Sequence, residues 1–154
     1  MIVTLKMNIQ DQEIAIDVNM TMAAGRIYRQ QFGRDAIDDM TEIYQKVHPS
    51  IYKDLDLSNI DISGKTEEEV SQMIMERAVP VYLVAQKKRV ELSFSDTERV
   101  SQILWAFAKN ADPKLPNYED WIDDFDFVLP AGDLISALYM TWSESAKPTV
   151  EIKK

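Results

Sequence analysis

Two segments near the N-terminus alternate between apolar and polar residues, and this pattern constrains the fold more than any other. In residues 2–7 and 13–18, every second side chain is large and apolar, so each segment has an apolar face as an extended strand. Residues 8–12 form a mostly polar linker, which predicts a β-hairpin with one buried face. Because an isolated hairpin is at best marginally stable in water, this face must pack on helices from the rest of the chain.

Helical spacing of apolar residues follows directly after the hairpin. Thr21 is suited to cap a first helix, and Gly33 is suited to end it in a left-handed conformation. Asp35 is suited to cap a second helix, because its carboxylate can accept hydrogen bonds from free backbone N–H groups. We interpret Arg34, between these two helices, as a surface charge.

A capping box formed by Thr66 and Glu69 opens a third helix in the middle of the chain. Its apolar positions are Val70, Met73, Ile74, Val81 and Val84. We expect Met73 and Met75 to fill the core, as flexible methionine side chains often do. Pro80 lies well inside this helix and is expected to kink or split it, because proline has no backbone N–H.

Residues 90–94 alternate again between apolar and polar side chains. This favours a short third strand that pairs with the hairpin, and a continuing helix is the alternative. Ser95 and Glu98 then form a second capping box, which predicts that a long helix begins there.

A proline elbow follows this helix. Asp112 ends the helix because the ring of Pro113 disfavours the helical conformation of the residue before it. Asn117 is suited to cap a short helix beyond the elbow, and residues 134–142 contain the apolar face of a last helix. The predicted fold class is therefore α+β and mostly α, with an N-terminal hairpin, a third short strand near 90–94, and five to six helices.

The charge and composition exclude several classes of protein. The 154 residues carry a formal net charge of −9, and an acidic chain repels the phosphates of nucleic acids. The chain has no cysteine, which excludes disulfides and thiolate zinc sites. No apolar run reaches the roughly 18 residues that suggest a membrane span. We expect a single domain that binds neither nucleic acid nor membrane.

Residues with catalytic chemistry are sparse. His48 is the only histidine, and four glycines offer little material for a phosphate-binding loop. Five carboxylates fall within residues 119–126, where pairs four residues apart share a helix face and could hold magnesium. We interpret them as a solvated acidic face, and expect no catalytic, cofactor-binding or metal-binding residues. The alternatives are an acidic inhibitor that mimics DNA and a metal-dependent hydrolase that uses these carboxylates.

Two segments resemble the tail assembly chaperone family of siphophages and of prophages in Gram-positive hosts. Residues 20–40 have the small residues, the arginine-aromatic-arginine stretch and the Phe-Gly-x-Asp motif of that family. These positions are Ala23, Ala24, Arg26, Tyr28, Arg29, Phe32, Gly33 and Asp35. Residues 102–125 resemble its Trp-x-x-Ala-Lys-x-Ala-Asp-Pro run and the tryptophan element that follows it. These positions are Trp105, Ala108, Lys109, Ala111, Asp112, Pro113, Trp121, Ile122, Asp123 and Phe125.

The resemblance covers residues 1–48 and 95–145, whereas the middle segment 49–94 matches poorly. It implies one chaperone-like domain over 1–154, with a loose C-terminal tail at 146–154. It also implies a non-enzymatic protein that binds the tape measure protein in the host cytoplasm and keeps it soluble until tail-tube subunits polymerise. Such a chaperone is not expected in the finished virion. Its other expected partners are a longer frameshifted product of its own gene and further copies of itself.

Amphipathic helices of an acidic protein can provide apolar grooves for a helical client, while their charge opposes aggregation. The side chains that we expect to contact this client lie on the first helix and on both arms of the proline elbow. They are Ile27, Tyr28, Phe32, Trp105 and Trp121. For each of them the alternative is an ordinary place in the core, which we favour.

Overall fold

The structure of the chain is a computed structural model that describes residues 1–49, 56–58, 60–87 and 91–146. Within these ranges it contains an antiparallel two-stranded hairpin and six helices, which confirms the predicted α+β, mostly α fold class. The strands are β1, Ile2–Ile9, and β2, Gln12–Asn19. The helices are α1, Met22–Phe32; α2, Ala36–Val47; α3, Glu67–Lys87; α4, Phe94–Ala111; α5, Tyr118–Asp123; and α6, Ala131–Ser145.

The chain divides into two compact units. The first unit consists of Met1–Tyr44 and Leu92–Lys154, and the second unit consists of Gln45–Glu91. The second unit therefore nearly coincides with the segment that resembles the chaperone family poorly. Residues 147–154, which belong to the tail predicted to be loose, lie outside the described residues.

The hairpin pairs along the whole length of β1 and β2, and it is longer than the alternating segments that predicted it. Gln10 and Asp11 connect the strands with φ angles of 51° and 63°, and two successive positive φ angles are typical of a tight hairpin turn. Its buried side chains are Leu5, Met7 and Val18. Since β2 packs on α4, the hairpin has the helical partner that its sequence requires.

The central helix of the first unit is α4, which contacts β2, α1, α5 and α6. Nearly all its side chains between residues 100 and 108 are buried. The helix ends before Pro113, and Asp112 has an extended conformation there. Asn117 then caps α5, because its side-chain oxygen accepts the Asp120 N–H at 2.9 Å. The predicted proline elbow is thus confirmed.

The described part of the predicted third strand, residues 91–94, is not a strand. It has no regular structure up to Ser93, and α4 begins at Phe94, while Val90 lies outside the described residues. The physical reason is a capping box that comes two residues before the predicted one. Ser93 Oγ accepts the Asp96 N–H, and the Asp96 carboxylate accepts the Ser93 N–H, both at 3.1 Å. This cap starts the helix early and leaves too few residues for a strand.

In the second unit, α3 is one continuous helix although Pro80 lies inside it. Thr66 supports its start as predicted, because the threonine hydroxyl accepts the Glu69 N–H at 3.2 Å. Pro80 has no N–H to bond the carbonyl of Glu76 one turn before it, but the flanking turns of α3 continue. Pro80 therefore does not split the helix, and the other expected effect, a kink, stays a prediction.

Candidate protein-binding surface

The five residues predicted to contact a partner all lie in the first unit, and three of them are buried. Tyr28 is fully buried, and Trp105 and Trp121 are at most 8% exposed. Ile27 and Phe32 are half-buried. Burial confirms the favoured core role for Tyr28, Trp105 and Trp121. A partner can reach the three buried rings only if the helices around them separate, so their contact with a client stays a prediction.

The two segments that resemble the chaperone family meet in an aromatic cluster. The Phe32 ring lies edge-on to Trp105, with ring centres 5.9 Å apart, and to Tyr118, with ring centres 5.3 Å apart. Trp105 Nε1 donates a hydrogen bond to the Pro116 carbonyl at 3.0 Å, and the hydroxyls of Tyr118 and Ser101 lie 2.7 Å apart. Edge-to-face pairs add stability beyond the area that they bury. The cluster joins α1, α4 and α5, so two residues that carry the resemblance, Phe32 and Trp105, stabilise the packing of these helices.

A polar network is centred on Asp39, whose carboxylate is buried and accepts hydrogen bonds from three side chains. The donors are Tyr28 Oη at 2.6 Å, Arg34 Nε at 2.9 Å and Arg99 Nη1 at 3.2 Å. Arg99 also pairs with Asp96 at 2.9 Å. Burial, together with the hydrogen bond to Asp39, raises the pKa of the Tyr28 phenol, which therefore remains a donor. The buried carboxylate thus has the paired partners that a charge in the core requires.

This network was not predicted from the sequence. Arg34, interpreted as a surface charge, has a side chain that is indeed 41% exposed, but it is also bonded to the carboxylate of Asp39. One sequence signal was available. Asp39 lies three residues after Ala36 and four before Ile43, which are both buried, so it falls on the buried face of α2. A carboxylate there needs a cation, but nothing local indicates that Arg99, 60 residues away, provides it.

In the second unit, α3 exposes a stripe of large apolar side chains. We define the α3 stripe as Met75, Val79, Tyr82 and Leu83, whose exposed fractions range from 48% to 60%. Their spacing is i, i+4, i+7 and i+8, the pattern by which a helix packs on a neighbour. Single exposed apolar residues are ordinary, but a continuous apolar stripe indicates an interaction surface.

The apolar positions predicted for α3 fall on other sides of the helix. The half-buried ones are Val70, Met73 and Val81, and the exposed ones are Ile74 and Val84. Met75, expected to fill the core, belongs to the α3 stripe instead. The helix is therefore apolar on more than one side, which is typical of helices that are covered on more than one side. Periodicity identified one apolar side and did not show that another faces solvent.

Comparison with known protein families, with curated proteins and with solved structures found no match for this chain. Across the described ranges, no helix is both long and apolar enough to cross a membrane, α3 included. The described residues, which include the acidic segment 119–126, contain no group of three or more His, Cys, Asp or Glu side chains placed to hold a metal ion. Of the surfaces described above, the α3 stripe is the one best suited to bind another protein.

Proposed function

We propose that this protein is a tail assembly chaperone of a siphophage or prophage, and that its α3 stripe binds amphipathic helices of the tape measure protein. The resemblance of residues 20–40 and 102–125 to that family supports the class of protein. The exposure of the α3 stripe supports the mode of binding, and it is the observation that carries the proposal. In this role the protein acts in the host cytoplasm without a catalytic step and does not remain in the finished virion.

The spacing of the α3 stripe matches that of a helical client, since an amphipathic helix presents apolar side chains at i, i+3, i+4 and i+7. Full burial of one large apolar side chain contributes about 1.5–3 kcal/mol, and the side chains of the stripe are already partly covered. Covering the rest of all four therefore contributes roughly 4 kcal/mol, which only matches the smallest estimates of the cost of association, so binding also needs the apolar side chains that the client buries in return. Binding at one such site is weak and readily reversed, which suits a client that tail-tube subunits later enclose.

The net charge of −9 also opposes aggregation of such a complex. Each bound copy adds negative charge to the client, and segments coated in this way repel one another. The helix itself begins with three glutamates, Glu67, Glu68 and Glu69, so the apolar stripe follows an acidic first turn. The apolar side of the client is thereby covered while the complex remains acidic.

Met75→Glu tests this proposal, with Met140→Glu as the matched control. The two methionines are 60% and 63% exposed, but only Met75 belongs to the α3 stripe. We expect Met75→Glu to weaken binding of the tape measure protein about tenfold, because the new carboxylate is desolvated against the client without a partner. Isothermal titration calorimetry with a soluble helical fragment of the tape measure protein measures this affinity, and Met140→Glu should bind like the wild type.

Both substitutions are at exposed helix positions, so each should change the free energy of unfolding by no more than about 0.5 kcal/mol. Circular dichroism melts check that both variants are folded. Equal binding by the wild type and by Met75→Glu would place the client on another surface. If Met75→Glu and Met140→Glu lost the same affinity for the fragment, the effect would come from the added charge alone. If the wild type did not bind the fragment, the proposed client would be refuted.

A further inference from the structure

The first unit contains an open cleft of about 700 Å³ beside the start of α1. Phe107 in the cleft is buried, whereas Met22 and Ile37 are 88% and 41% exposed. Apolar surface is therefore accessible to a ligand. The lining residues that matter most are Met22, Arg26 and Arg29 of α1, Ile37 of α2, Phe107 of α4 and Trp142 of α6.

Two arginines one turn apart line the same cleft. Arg29 pairs with Asp35 at 3.3 Å, but that carboxylate also caps α2 as predicted, accepting the N–H groups of Ile37 at 2.9 Å and Asp38 at 3.0 Å. Arg26 is exposed and makes no hydrogen bond or ion pair with any other described residue. Among the described residues that line the cleft, the two arginines are accompanied by one carboxylate, Asp35, so this lining carries net positive charge in a chain whose net charge is −9.

We infer that this cleft binds an acidic amphipathic helix of a partner protein. Arg26 and Arg29 lie three residues apart on α1, so their guanidinium groups can face carboxylates one turn apart on a second helix. Apolar side chains on the same face of that helix enter the cleft beside Met22, Ile37 and Trp142. Arginine binds carboxylates through paired hydrogen bonds, which favours an acidic partner over a neutral one. The cleft belongs to the first unit, so this inference does not depend on the α3 stripe or its client.

Two synthetic amphipathic peptides test the inference. They share the same leucine and alanine positions, and one has glutamate and the other lysine on its polar face. A protein with a net charge of −9 attracts the lysine peptide at long range, so tighter binding of the glutamate peptide reports a local basic site. Trp142 fluorescence is the readout, because Trp105 and Trp121 are buried and are not among the residues that line the cleft. Trp142→Phe should abolish the signal.

Arg26→Glu is the decisive variant, and Lys114→Glu makes the same charge change at an exposed position outside the cleft lining. We expect Arg26→Glu to weaken binding of the glutamate peptide about tenfold, because one attractive charge pair becomes repulsive. Lys114→Glu and Met75→Glu should leave that affinity within about twofold, because neither residue is among those that line the cleft.

The inference is overturned if the wild type does not bind the glutamate peptide, or binds the lysine peptide more tightly. It is also overturned if Arg26→Glu and Lys114→Glu weaken binding equally. A loss confined to Met75→Glu would place the peptide on the α3 stripe instead. Arg26→Glu therefore tests the cleft, whereas Met75→Glu with the tape measure fragment tests the α3 stripe, and either proposal can fail without the other.

Discussion

Trp105→Ala is expected to lower the free energy of unfolding by about 4 kcal/mol. The indole is 4% exposed and packs edge-on against Phe32 and Tyr118. Its Nε1 also donates a hydrogen bond to the Pro116 carbonyl at 3.0 Å. Alanine removes these contacts and leaves a cavity between α1, α4 and α5 that the surrounding helices refill only in part. Urea denaturation followed by circular dichroism measures the loss.

Trp105→Phe separates the loss of apolar packing from the loss of the hydrogen bond to Pro116. Phenylalanine keeps most of the apolar volume but has no N–H, so we expect a smaller loss of about 1–2 kcal/mol. Met140→Ala, at an exposed position of α6, should change the stability by no more than about 0.5 kcal/mol. A Trp105→Ala variant as stable as the wild type would contradict the packing role of this residue.

Asp39→Ala is expected to lower the free energy of unfolding by about 3 kcal/mol. The substitution removes the acceptor that Tyr28 and Arg99 share at 2.6 Å and 3.2 Å. Arg99 keeps Asp96 and Glu42 as partners, but its side chain is only 20% exposed, so water replaces the lost carboxylate poorly. The hydroxyl of the fully buried Tyr28 also loses its acceptor. Removing one member of a buried ion pair costs far more than removing one of an exposed pair for this reason. Differential scanning calorimetry measures the change.

Glu42→Ala is the matched control for Asp39→Ala. Its carboxylate also contacts Arg99 at 3.2 Å, but the Glu42 side chain is 57% exposed. Removing an exposed partner should cost no more than about 1 kcal/mol. If the two variants lost the same stability, burial of Asp39 would have no special importance for the fold.

The features that could be predicted from the sequence depend on residues close to one another in the chain. Alternation alone indicates the hairpin, and the effect of Pro113 on the residue before it ends α4. Asp35 caps α2 through hydrogen bonds to backbone groups two and three residues ahead. Each of these signals acts within a few residues, so no knowledge of the tertiary structure was needed.

The features that could not be predicted depend on contacts between distant residues or on competing local signals. Ser93 forms its capping box with an aspartate three residues ahead, whereas the usual pattern has glutamate or glutamine there, as at Ser95. Asp39 and Arg99 meet across 60 residues of sequence. The exposure of the α3 stripe depends on which sides of that helix other residues cover, and periodicity does not contain this information.

The most direct test of the proposed function is the soluble yield of the tape measure protein, expressed alone and together with this chain in a bacterial host. We expect the tape measure protein to be encoded by a very long open reading frame immediately downstream of the gene for this chain. We predict that the tape measure protein is insoluble alone, soluble with the wild type or with Met140→Glu, and largely insoluble with Met75→Glu, because in the proposed complex the exposed α3 stripe covers its apolar helices. Equal insolubility with and without the wild-type chain would contradict the proposal.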